Sequence, residues 1–204
     1  RVTASCLVGP VLPTVRRMAA VGIAPAELPL GLYLRDTSYT VCSPTIRSYA
    51  EKFRGSADRN RIEALHEIML AIADDVAYTK GETHVHTTGA EALEQGGGVC
   101  QDHAHIFCAV CRTLGIPARY VGGYLMMNDR IDQEAGHAWA EAHVDGLGWV
   151  AFDVSNGISA DSRYVRVATG CDYREAAPVT GISYGAGETA LAVSLAVEQQ
   201  LVEQ

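Results

Sequence analysis

The stretch GGGVCQDHAHIF, residues 96–107, places a single cysteine between a run of glycines and an apolar segment. Behind Cys100, apolar residues recur at steps of three and four, which predicts a helix with one buried face. Gly115 and Pro117 predict its end, because glycine suits the left-handed position after a helix and proline cannot continue one. We therefore expect Cys100 in the first turn, where the helix dipole and unpaired N–H groups favour a thiolate. The stretch leaves two interpretations of Cys100 open: it is either a nucleophile or a cysteine that packs in the core as a small apolar residue.

Composition limits the classes of function. The chain has 204 residues, 48% of them hydrophobic and 20% charged, which predicts one domain with a substantial core. A net charge of -8 without a dense Lys/Arg cluster argues against nucleic-acid and membrane partners and favours small molecules or peptides as partners. Composition does not predict the oligomeric state. Six scattered cysteines, with no signal-peptide pattern, predict a cytoplasmic protein, although the chain begins at Arg1 and not at Met.

Hydrophobic periodicity changes along the chain. Helical spacing predicts a helix over residues 59–78, with Ser56 and Asp58 as candidate caps, and shorter helices over 45–53 and 90–94. After Pro117 the period becomes two, which predicts strands, and Gly122-Gly123 predicts either a bulge or a place where another group approaches closely. The predicted strands are residues 118–127, 137–144, 149–154 and a final one within 191–202, with a loop over 128–136. These elements predict an α+β fold in which helices pack on an antiparallel sheet.

Two further side chains could complete a catalytic site with Cys100. A thiol nucleophile needs a base, and the base needs an orienting group. His137 begins one predicted strand and Asp153 ends the next. They lie on the same face of the sheet only if an odd number of residues connects the paired strands, or if a bulge shifts the register.

Three blocks of the sequence together resemble a known family. GGGVCQDHAHIF, AGHAWAEAHV and GWVAFDVSNG resemble the signature blocks of the transglutaminase-like superfamily, whose members are thiol enzymes with a Cys, His, Asp triad. LYLRDTSYT and SRYVRVATGCDYREAAPV are similar, more weakly, to its bacterial cysteine-protease branch. The resemblance implies a papain-like transglutaminase core over residues 40–204, with its nucleophile helix packed on an antiparallel sheet. Residues 1–39 would then be a possible remnant of an N-terminal β-domain.

The resemblance also implies roles. Cys100 would be the nucleophile, His137 the base and then the acid, and Asp153 the group that orients His137. A peptide or glutamine-type amide would form a thioester with the thiol, and we expect hydrolysis, as in a cysteine protease or amidase, more than transglutaminase-type transfer to an amine. The backbone N–H of Cys100 would bind the oxyanion. Gln95 is the candidate second donor, with Tyr78 as a weaker one, although a glutamine near a loop is more often simply solvated.

No cofactor or metal is implied, and two other classes of function remain open. Cys108-x-x-Cys111 with His84, His86, His103 or His105 could form a metal or redox site, but both cysteines fall on the buried side of the predicted helix. A non-catalytic transglutaminase-like binding module is the other alternative. We expect Asp102 to cap or pack the first turn of the nucleophile helix, and His103 and His105 to place that helix. Trp139 and Trp149 either line a cleft or belong to the core.

Overall fold

The centre of the fold is a four-stranded antiparallel sheet with helices packed against it. The computed structural model describes residues 29–126 and 136–177 in full, together with the backbone of strands at Val2–Leu7, Asp132–Gln133 and Ala192–Val197. Mixed helix and antiparallel sheet confirm the predicted α+β class.

The helices follow the predicted apolar periods, but the candidate caps Ser56 and Asp58 lie inside a separate short helix at Arg54–Arg59, and the bounds of the helix predicted over residues 59–78 also need correction. That helix begins at Arg61, because Asn60 caps it by accepting a hydrogen bond from the Glu63 N–H at 3.4 Å. It ends at Asp75, and the chain then pairs with the glycine run as a short parallel strand. The described helices are α1 Pro44–Glu51, α2 Arg54–Arg59, α3 Arg61–Asp75, α4 Gly89–Gln95, α5 Cys100–Thr113 and α6 Tyr173–Ala176, preceded by a 3-10 helix at Leu30–Leu34.

The central sheet has the order β7-β6-β4-β8. Its pairing shifts between Gly122 and Gly123, which confirms the predicted bulge. Strand β8 was not predicted from the sequence. The final predicted strand exists but pairs with the N-terminal strand in a separate sheet of order β1-β9-β5, and most of the loop predicted over 128–136 lies outside the described residues. The strands are β1 Val2–Leu7, β2 Ala77–Tyr78, β3 Gly97–Gly98, β4 Ala118–Leu125, β5 Asp132–Gln133, β6 His137–Val144, β7 Gly148–Phe152, β8 Tyr164–Gly170 and β9 Ala192–Val197.

The register of β6 and β7 meets the condition stated from the sequence. Val144 pairs with Gly148, so three residues connect the paired strands. Ala140 pairs with Phe152, the last pair of the two strands, and continuing this register by one position places Asp153 opposite Trp139. Since alternate residues share a face, Asp153 lies on the same face as His137.

Helix α5 is almost entirely buried, which fixes the position of its first residue. Phe107 and Phe152 are both fully buried, and their rings stack with centroids 5.1 Å apart. Burial of a phenylalanine side chain contributes about 2–3 kcal/mol. Because Phe152 directly precedes Asp153, this contact also fixes α5 relative to the end of β7.

Among the residues that the structure describes, no helix is long and apolar enough to cross a bilayer.

Candidate active site

Cys100 is the first residue of α5, as the sequence predicted. Two of the glycines before Cys100 are required, one by its backbone conformation and the other by the close packing of a neighbouring side chain. Gly96 has φ 69°, and a Cβ on Gly98 would lie 2.7 Å from Asp102 Oδ2. The same oxygen accepts a hydrogen bond from the Val99 N–H at 2.8 Å, which confirms that Asp102 caps the helix. The thiol is partly exposed at the positive end of the helix.

The structure brings the three predicted triad side chains together. His137 Nε2 donates to Asp153 Oδ2 at 2.6 Å, and the Cys100 thiol is close enough to raise the pKa of the His137 ring. Because Nε2 is engaged by the carboxylate, Nδ1 is the nitrogen left for the thiol. The side chain of His137 is 15% exposed and that of Asp153 is fully buried. The imidazole thus lies between a shielded carboxylate and a thiol that solvent can reach.

Charge complementarity keeps His137 protonated. Burial alone lowers the pKa of His137, but the hydrogen bonds and charges of Asp153 and Cys100 outweigh it and raise the pKa to about 9. Burial alone raises the pKa of the Asp153 carboxyl, but the hydrogen bonds from His137, Asn156 and Tyr164 outweigh it and hold this pKa below its usual range. An imidazolium next to an ionised Asp153 is therefore favoured at neutral pH.

Two residues that the sequence analysis did not predict complete the surroundings of Asp153. Asn156 Nδ2 and the Tyr164 hydroxyl each donate to Oδ2 at 2.7 Å. Asn156 follows Asp153 by three residues, so a turn after the strand was the available signal. Tyr164 lies in the segment of weak family resemblance, where YVRVATG alternates with period two. That alternation could have indicated β8.

His103 joins three segments around the nucleophile. Its Nε2 donates to the Val76 carbonyl at 3.0 Å, which leaves Nδ1 to accept from the Ser155 hydroxyl at 2.9 Å. Burial lowers the pKa of His103, so the neutral ring with this tautomer is favoured. His103 therefore ties α5 to the start of β2 and to the turn after Asp153.

The two candidate oxyanion donors both precede the glycine run in sequence. Gln95 ends α4 and is exposed, and its role stays a prediction. Tyr78 pairs with Gly98, and its ring contacts His103 edge-on with centroids 6.1 Å apart. Burial, followed by the charges of Cys100 and Asp153, raises the pKa of Tyr78, which places its hydroxyl within electrostatic reach of the thiol.

The remaining candidates from the sequence belong mainly to the core. Cys108 and Cys111 are fully buried, and burial raises the pKa of Cys108 to about 11. His105 accepts from the Tyr173 N–H, and burial lowers its pKa to about 3. The described residues contain no cluster of three or more His, Cys, Asp or Glu side chains that could hold a metal ion.

The two tryptophans lie at different places in the structure. Trp139 is buried between His137 and Tyr164, with ring centroids 6.1 and 5.3 Å away. Trp149 lies near the other end of β6, where its ring contacts His143. Trp139 therefore packs directly behind the candidate base, whereas Trp149 does not.

Comparison with known proteins identifies the family of the chain. A family model described as the transglutaminase-like superfamily matches residues 47–154, just over half of the chain. The chain is similar to an uncharacterized protein of Mycobacterium leprae, with 42% identity over 57% of this chain and 43% of that protein. It is also similar to an uncharacterized protein of Mycobacterium tuberculosis, with 32% identity over 82% of this chain and 57% of that protein. The chain thus spans about half the length of these curated relatives.

A solved structure shows the same fold. The crystal structure of a candidate cysteine protease from Cytophaga hutchinsonii superposes with a TM-score of 0.67 and 24% identity, covering 97% of this chain and 65% of that one. The fold therefore extends beyond the range that the family model matches.

Proposed function

Because the chain belongs to the transglutaminase-like superfamily, we propose that it performs thiol-dependent acyl chemistry on peptide or glutamine-type amides through Cys100, His137 and Asp153. The observation that supports this most strongly is the position of His137 beside both Asp153 and Cys100. One ring nitrogen donates to Asp153 at 2.6 Å, and the Cys100 thiol acts with Asp153 to raise the pKa of the same ring. A base held by a carboxylate and directed at a thiol is the arrangement that nucleophilic catalysis requires.

In the proposed reaction, the Cys100 sulfur attacks the amide carbon and the carbonyl oxygen becomes an oxyanion. The backbone N–H of Cys100 is available to stabilise that oxyanion, because the first residue of a helix has no preceding turn to bond. The imidazolium of His137 then gives its Nδ1 proton to the leaving amine or ammonia, and a thioester remains on Cys100.

The molecule that attacks the thioester determines the class of enzyme. Neutral His137 takes a proton from water, the resulting hydroxide attacks the thioester, and the thiol is restored. We propose hydrolysis as the main outcome, because water competes at an exposed thiol such as Cys100. Attack by an amine in place of water would give transglutaminase-type transfer.

The test is an activity assay on a glutamine-rich, unstructured protein such as casein, with and without hydroxylamine as an amine acceptor. Mass spectrometry detects new N-termini, conversion of glutamine to glutamate, and hydroxamate formation, which identify a peptidase, an amidase and a transferase in turn. We expect Cys100→Ala and His137→Ala to reduce whichever activity is found by at least about 1,000-fold.

Matched variants control for general damage to the fold. Cys42 is also partly exposed, and His143 lies six residues along β6 on the same face as His137, with a similar exposure. Cys42→Ala and His143→Ala should each keep activity within about twofold. Activity that survives in Cys100→Ala would contradict the proposed function, and a complete lack of turnover by the unmodified protein would favour the binding module.

A further inference from the structure

Three side chains donate hydrogen bonds to one oxygen of Asp153. Oδ2 accepts from His137 Nε2 at 2.6 Å, from Asn156 Nδ2 at 2.7 Å and from the Tyr164 hydroxyl at 2.7 Å. Oδ1 accepts from the Asn156 N–H at 3.3 Å. Since the carboxylate is fully buried, protein donors and not solvent determine which way it points.

Of these donors, Tyr164 approaches from a different part of the chain. Tyr164 is the first residue of β8 and pairs with Leu125 of β4, so its backbone is held by the sheet. Its ring packs edge-on against Trp139, with centroids 5.3 Å apart at 81°, and lies 6.0 Å from the ring of His137. The hydroxyl is thereby fixed against Asp153 independently of the loop that carries the carboxylate.

From this geometry we propose that Tyr164 is a positioning residue of the active site, which fixes the carboxylate of Asp153 and thereby the ring of His137. The inference rests on the proposed function only for its effect on catalysis. Tyr164 is not a general acid or base in this scheme, because it contacts the orienting group and not the reacting thiol. Burial and the bond to Asp153 both raise the pKa of Tyr164, so its hydroxyl stays protonated and continues to donate.

Because the three donors share Oδ2 of Asp153, they also reduce the negative charge that this oxygen presents to His137. A donor on Oδ2 draws electron density from the carboxylate and so weakens its attraction for the imidazolium. The other titratable or charged groups facing this pair are Cys100 and His103 on α5, Tyr78 on β2 and Arg163 beside Tyr164. Removal of the Tyr164 hydroxyl leaves all of these in place.

The test is Tyr164→Phe, which keeps the ring and removes only the hydroxyl. We expect the midpoint of the His137 titration, followed by NMR of the imidazole carbons, to rise by about half to one pH unit. The high-pH limit of kcat should move up with it, since His137 acts as the acid only while protonated. We also expect kcat to fall about tenfold with KM within about twofold, because the bond is made to the catalytic groups and not to the substrate.

Tyr33→Phe is a matched control. Tyr33 is buried and packs edge-on against Trp149, with centroids 5.0 Å apart at 79°, which reproduces the packing of Tyr164 on Trp139 away from the triad. This control should leave the His137 midpoint unchanged. An unchanged or lowered midpoint in Tyr164→Phe, or an equal rise in Tyr33→Phe, would overturn the proposal. The titration needs no substrate, so it tests Tyr164 even if the proposed acyl chemistry fails.

Discussion

Asp102 shows how one side chain prepares the site without taking part in the chemistry. Its carboxylate is buried, and Oδ2 accepts from the Val99 N–H at 2.8 Å and from the Thr83 hydroxyl at 2.7 Å. The first bond closes the N-terminus of α5 directly before Cys100. The second attaches the loop between β2 and α4, which Gln101 also holds by donating to the Val85 carbonyl at 3.2 Å. Asp102 therefore determines both the start of the nucleophile helix and the path of the adjacent loop.

Separate variants can distinguish these two contributions. Asp102→Ala removes both bonds, and we expect it to lower the free energy of unfolding by about 2 kcal/mol. Thr83→Ala removes only the attachment of the loop and should cost about 1 kcal/mol. Chemical denaturation followed by circular dichroism measures both values. A loss in Thr83→Ala equal to that in Asp102→Ala would contradict the assigned role of the helix cap.

At the level of elements, sequence patterns identified most of the parts that carry the site. Strand β6 has the predicted bounds, and the odd number of residues joining it to β7 places His137 and Asp153 on one face. The pattern could not predict which strand pairs with the second side of β4. Strand β8 begins about 40 residues after β4 ends, and a pairing over that distance in sequence depends on tertiary contacts. The hydrogen bond from Tyr164 to Asp153 was missed for the same reason.

At the bulge in β4, strand β8 and Trp139 pack closely around Gly123. A Cβ on Gly123 would clash with the Val165 carbonyl oxygen and would lie 2.8 Å from the ring of Trp139. A backbone oxygen cannot move aside as the end of a flexible side chain can. Gly123 is therefore required for β8 and Trp139 to pack together behind His137.

Gly123→Ala tests this close approach. We expect it to lower the free energy of unfolding by about 3 kcal/mol or more, because the clash forces β8 away from β4. Gly31→Ala is the control, since a Cβ there would meet no atom within 4 Å. Thermal unfolding at neutral pH measures both, and equal melting temperatures for the two variants would contradict the packing described.

For the molecule as a whole, the sequence predicted the three side chains that the structure brings together more fully than it predicted what surrounds them. Cys100 and His137 each begin an element and Asp153 directly follows β7, and positions of that kind can be inferred from periodicity and turns. The contacts of His103 with Val76 and Ser155 join positions 27 and 52 residues apart, and no local pattern encodes them. The second oxyanion donor, for which Gln95 was the prediction, depends on side-chain placement in the same way.

The most direct test of the triad is the rate at which iodoacetamide alkylates each cysteine near pH 6.5, measured by mass spectrometry. Cys42 is the internal reference, because it is partly exposed like Cys100. If Cys100 is the nucleophile beside protonated His137, it should react at least about tenfold faster than Cys42. His137→Ala should remove this difference and His143→Ala should keep it. Equal rates for Cys100 and Cys42 in the unmodified protein would contradict the account.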